Sequence, residues 1–101
     1  MKVVEAKLGG TPTPGDTIML HYSGSRGGRS TASYIVRPGD TLTDVGHGII
    51  GATGNSNYLG EFVLKLKNDT IMIICSNLVH DVTFFSEILG AGTETLTVEE
   101  L

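Results

Sequence analysis

The stretches Pro14-Gly15-Asp16-Thr17-Ile18-Met19-Leu20-His21-Tyr22 and Pro38-Gly39-Asp40-Thr41-Leu42-Thr43-Asp44-Val45-Gly46 open on the same tetrapeptide and then diverge. After the first copy, Ile18, Leu20 and Tyr22 alternate with Thr17, Met19 and His21, the period of a strand. After the second, Leu42, Val45, Ile49 and Ala52 step by three and four, the period of a helix. One turn therefore launches a strand and its twin a helix. Asp40 and Thr41 are both N-cap candidates, and Thr41 with Asp44 has the spacing of a capping box. The helix is expected over residues 41–53, with Gly54-Asn55 as its stop. It carries Gly46, Gly48 and Gly51, each costing about 1 kcal/mol against Ala in an exposed helix. Packing must compensate, and a bare glycine edge lets the helix backbone lie close on a sheet.

On either side of these turns, strands are expected over residues 3–8, 17–23 and 31–37 before the helix and over 61–67, 70–76, 82–88 and 93–98 after it. Residues 9–15 hold two prolines and three glycines, which forbid a continuous ladder and read as a turn. The run Gly24-Ser25-Arg26-Gly27-Gly28-Arg29-Ser30 reads as a hairpin tip. Asn68-Asp69 tolerates the positive φ of a tight hairpin, and Gly90-Ala91-Gly92 joins the last two strands. Ala32, Tyr34 and Val36 share one face. Phe62, Leu64 and Leu66 face inward against Glu61, Lys65 and Lys67, with Val63 on the outer side. The nearly unbroken apolar run 70–75 predicts a central strand covered on both faces. The fold expected is α+β, a two-layer antiparallel β-sandwich of about seven strands with one α-helix packed against it, in a single domain over residues 1–101.

Composition bounds the function classes. A chain of 101 residues has room for one two-layer core. Its 40% hydrophobic and 18% charged content excludes wholesale disorder. A net charge of −4 argues against nucleic acid and anionic membranes as partners, because phosphate neutralisation needs clustered Lys and Arg. The partner expected is protein or glycan. The lone Cys75 has no intrachain disulfide partner and, beside Ile73 and Ile74, reads as a buried thiol. Residues 1–8 lack the apolar run of a signal peptide, and no segment approaches the roughly twenty apolar residues that cross a bilayer. The expectation is a chain made in the cytoplasm that stays soluble.

Candidate chemistry is sparse. None of His21, His47 and His80 pairs with a Cys or His at zinc-ligand spacing. Asp44 and His47 sit one helical turn apart, but Asp44 is better placed as an N-terminal capping group. Cys75, His80 and Asp81 are the types of a nucleophile, base and orienter, yet a thiol in so apolar a strand holds little thiolate. The glycine loop carrying Arg26 and Arg29 lacks the helix and the Lys-Ser/Thr ending of a phosphate cradle; its arginines suit an acidic neighbouring surface or a mobile tip. Tyr22 and Tyr34 lie on inward phases, leaving Tyr58 free to stack, and the absence of tryptophan weighs against a sugar platform. Met19 and Val63, both outward, with either phase of Ile71 to Ile74, mark an apolar area that the single helix does not fully cover and that suits subunit packing. No catalytic residue, metal or cofactor is expected.

Two resemblances accompany these residues. The run from Tyr34 to Leu42, Tyr-Ile-Val-Arg-Pro-Gly-Asp-Thr-Leu, resembles the opening of a LysM module. That resemblance implies peptidoglycan or chitin binding with Gly39, Asp40, Thr41 and Leu42 in the groove, though a LysM module continues into a second helix. A longer match is similar to a domain pattern recurring in tail-associated and other structural proteins of phages and prophages. It comprises the Gly-Gly-Thr-Pro-Thr-x-Gly-Asp-Thr start at residues 9–17, the turn at 34–42, a small-residue helix and the closing Thr-Glu-Thr-Leu-Thr-Val strand at 93–98. The family helix has more alanine than this one. This second resemblance implies a non-enzymatic structural protein of a virion, made in the host cytoplasm and assembling as a homo-oligomer or with other virion proteins. The expected contacts are Arg26, Arg29, Met19 and Tyr58 with the first and last strands.

Overall fold

The computed structural model describes residues 2–23, 29–56, 62–75 and 83–101. Over these the chain runs β1 (Lys2–Gly9), β2 (Thr17–Ser23), β3 (Arg29–Ile35), α1 (Leu42–Ser56), β4 (Phe62–Lys67), β5 (Thr70–Cys75), β6 (Thr83–Leu89) and β7 (Thr95–Glu100). Strands β4-β5-β1-β7 form one antiparallel sheet and β3-β2-β6 a second. The alternation seen in sequence sets which side chains meet between them. Val4, Ala6 and Leu8 of β1, Ile71 and Ile73 of β5 and Leu96 of β7 pack against Ile18, Leu20 and Tyr22 of β2 and Ala32 of β3. The described residues thus form an α+β sandwich of seven strands and one helix, as the periodicity predicts.

Two devices close the sides of the sandwich. Residues 90–94 carry the chain from β6 at the edge of one sheet to β7 at the edge of the other, and the Ser86 hydroxyl donates to the Leu96 carbonyl across that seam. On the opposite side α1 lies mainly along β3 and also touches β4, filling the gap between the sheets. Val45 and Ile49 are fully buried. A Cβ at Gly48 would overlap the Tyr34 ring and one at Gly46 would press on Leu66, so the glycine edge does lie against strands; Gly51 faces open space and takes no part.

The twin turns share one geometry. Asp16 N–H donates to Thr13 O and Asp40 N–H to Arg37 O, at 3.1 Å in both. Gly15 and Gly39 take φ of 92° and 85°, which with Pro at the preceding position is the type II turn. The residues after each turn decide which element it launches. Thr41 Oγ1 accepts the Asp44 N–H at 3.2 Å and Asp44 Oδ2 accepts the Thr41 N–H at 2.9 Å, a complete capping box. Leu20 stands where Asp44 does in the second copy, so the first turn has no such box and its alternating residues enter the sheet.

Several boundaries differ from expectation. The helix runs through Gly54-Asn55 to Ser56, because a glycine stops a helix only when it takes up a left-handed backbone. Strand β3 ends at Ile35; Val36 stays buried and exchanges main-chain bonds with Gly15 and Asp16, which sets the two turns side by side. Strand β7 is shifted two residues towards the C-terminus. Strand β5 is fully covered on one face only: Ile71 and Ile73 are buried, whereas Met72 and Ile74 are half-buried on the outer side. Asn68 has φ 57° in the β4–β5 hairpin, as its sequence predicts.

Candidate functional site

The outer faces of the two sheets are unlike. On the four-stranded sheet the outward positions join half-buried Val3, Met72 and Ile74 with Glu5 and Lys7 of β1, Lys65 and Lys67 of β4, and Glu99 of β7, a mixed surface whose fully exposed members are polar or charged. On the three-stranded sheet, register sets Ile35 and Leu89 on either side of Thr17, then Ser33 and Glu87 beside Met19, then Thr31 and Phe85 beside His21. Ile35 is 62% exposed, Leu89 53% and Phe85 41%. A sheet facing water ordinarily carries polar residues at such positions, so this cluster is the principal exposed apolar surface among the described residues.

A polar network bounds the apolar ridge. The His21 ring stacks on Phe85 with centroids 4.7 Å apart. Its Nδ1 lies 2.7 Å from Thr31 Oγ1 and its Nε2 3.0 Å from Glu87 Oε1. The neutral tautomer protonated at Nε2 satisfies both neighbours, donating to Glu87 and accepting the Thr31 hydroxyl proton. This fixes the imidazole flat across β2 and holds Phe85 in place. The face therefore carries Ile35 and Leu89 at one end and the His21, Thr31 and Glu87 network beside Phe85 at the other.

The turn at Gly39 to Leu42 spends its polar groups internally. Asp40 Oδ2 accepts the Tyr34 hydroxyl at 2.6 Å and the Arg37 N–H at 2.9 Å. These bonds, the Tyr34 hydroxyl first, hold the Asp40 carboxyl below the ordinary 3.8. Thr41 is engaged in the cap and Leu42 packs on the core. Only residues 57–61 separate α1 from β4.

The first turn presents a different arrangement. Asp16 and Glu94 are 7% and 4% exposed. Gly92 N–H donates to Asp16 Oδ2 at 2.9 Å and Thr13 N–H to Glu94 Oε2 at 2.6 Å. Glu94 Oε1 is buried with no hydrogen-bond donor. A Cβ at Gly92 would fall on Asp16 Oδ2, Thr13 Oγ1 and Glu94 Oε1 together, so these oxygens converge on one small volume. Burial, and then the facing Asp16 carboxyl, push Glu94 above the ordinary 4.5.

Of the residues singled out in sequence, Met19 lies on the apolar outer face and Gly39 to Leu42 form the helix-launching turn. Arg26, Tyr58, His80 and Asp81 lie outside the described residues; Arg29 pairs through its backbone with Ser23, and Cys75 with Lys2 and Phe62. His47 is exposed one turn beyond Asp44. Among the described residues no three His, Cys, Asp or Glu side chains gather as a metal-ligand set, and no helix is long and apolar enough to cross a membrane. A shallow groove lined by Val4, Thr83, Phe84, Val98 and Glu100 brings no acid and base together. Ile35, Phe85 and Leu89 were missed in sequence although each sits on the outward phase of its strand. The inward carboxyls were missed too, yet Asp16 shares its parity with Ile18 and Leu20, and Glu94 with Leu96 and Val98. No protein-family model, curated protein or solved structure matches the chain.

Proposed function

We propose that this chain is a non-enzymatic structural component of a phage or phage-derived particle, and that it packs against a second copy of itself through the outer face of the three-stranded sheet. The observation that carries the assembly half is the exposure of Ile35, Phe85 and Leu89 on one outer face, where a sheet facing water ordinarily carries polar residues. Contiguous apolar surface rimmed by polar groups is a feature of protein contact sites. Support for the particle context is the ordered run of turn and strand motifs from Gly9 to Val98.

The rival is a LysM-like glycan binder using Gly39 to Leu42. It is weakened by the internal use of Asp40 and Thr41. Light scattering after size exclusion separates the two together with a pull-down on peptidoglycan and chitin. A mass that rises with concentration to a multiple of the monomer, with no retention on glycan, is expected. A monomer at all concentrations contradicts self-packing, and retention competed away by an oligosaccharide selects the rival.

A further inference from the structure

We propose that Asp16 and Glu94 share a single proton, and that this proton latches the β1–β2 linker to the β6–β7 linker and is the point at which the fold responds to pH. The latch is independent of self-packing through the three-stranded sheet. Its basis is an unmet hydrogen-bond requirement. Glu94 Oε1 is buried without a donor, which is costly for a carboxylate. The Thr13 and Gly92 N–H groups are already spent on Glu94 Oε2 and Asp16 Oδ2. The Thr13 hydroxyl, though close, donates to Thr11 O at 3.3 Å. The remaining neighbour is the Asp16 carboxyl, and a proton on Glu94 turns an acceptor-against-acceptor contact into an O–H···O bond. Two like charges so close do not both persist when buried.

Among the described residues no other ionisable group reaches the pair from the elements around it. Residues 9–15 and 90–93 carry none. Val36 meets the turn through its main chain, and Arg37 and Lys7 are exposed. A divalent cation is a poorer occupant than a proton: calcium takes six to eight oxygens, and two carboxylates with one committed hydroxyl supply few. Because the folded state raises the Glu94 value above the ordinary 4.5, the latch is fully made below that pH and is lost as pH rises through the folded value. On that loss Thr13 and Gly92 part, and with them the ends of β2 and β7.

The test is a carbon-detected titration of the Glu94 carboxyl in the wild-type chain, with thermal melts of wild type, E94Q and D16N across a pH series. Glutamine at 94 donates permanently to Asp16 while its carbonyl still accepts the Thr13 N–H; asparagine at 16 offers the converse. Glu94 is expected to titrate above 4.5. Wild type is expected to lose on the order of 5 °C relative to either amide variant between about pH 4 and pH 9. A Glu94 midpoint at or below 4.5 overturns the latch, as do wild-type and variant melts that run parallel. A wild-type melting temperature at alkaline pH that calcium chloride raises and a chelator lowers also overturns it, by assigning the place to a metal. Should one amide variant fail to fold, the other and the wild-type titration decide.

Discussion

Gly48 and Gly51 stand three residues apart on α1 and meet opposite conditions. A methyl group at 48 lands on the ring atoms of Tyr34, whereas one at 51 meets nothing within 4 Å. Alanine gains helix propensity of about 1 kcal/mol at both positions. At 48 that gain is outweighed by overpacking against a ring that is itself hydrogen-bonded to Asp40. G48A is therefore expected to destabilise the protein by a net 1–3 kcal/mol or so, and G51A to stabilise it by about 1 kcal/mol, both read by chemical denaturation. The Tyr34 to Asp40 bond makes a separate prediction. Asp40 is held below 3.8, so the bond contributes stability above that pH and its contribution disappears as pH falls through the folded value. In Y34F the Asp40 carboxyl is expected to titrate closer to 3.8, and the stability gap between Y34F and wild type to narrow in acid; an unchanged Asp40 titration contradicts this.

Among the elements, the difference between twin turns lies in one side chain. Asp44 completes a box with Thr41 that Leu20 cannot complete with Thr17. Thr41→Ala removes the acceptor for the Asp44 N–H and is expected to cost about 1 kcal/mol, measured in urea, with Thr17→Ala well below that. Much of this was legible in the chain because both period and cap are local: Ile18, Leu20 and Tyr22 announce β2, and Thr41 with Asp44 announces α1. The end of the helix was not legible, since Gly54 signals a stop only if it leaves the helical backbone, and the chain stays helical to Ser56. The early end of β3 was hidden for a related reason. Val36 pairs with Gly15 and Asp16, a contact across twenty residues that no local pattern encodes. The same holds for Asp16 and Glu94, whose inward parity was readable but whose meeting depends on the passage from β6 to β7.

For the molecule as a whole, the seven strands and one helix of the described residues enclose the core between two unequal outer faces. The face of the three-stranded sheet presents Ile35, Leu89 and Phe85 beside a His21 fixed by Thr31 and Glu87, and is the face proposed to meet a second copy. Because Ile35 and Leu89 are exposed, lysine at both positions is expected to change monomer stability by no more than about 0.5 kcal/mol per site, while a lysine in that ridge opposes burial against another copy. Sedimentation velocity over a concentration series, comparing wild type with the I35K/L89K variant, is the decisive experiment for self-packing through this ridge. Wild type is expected to give a boundary that shifts to a larger species with concentration, and the variant to stay monomeric with an unchanged melting curve. Identical sedimentation of the two, whether both associate or both remain monomers, would refute the assignment of this face.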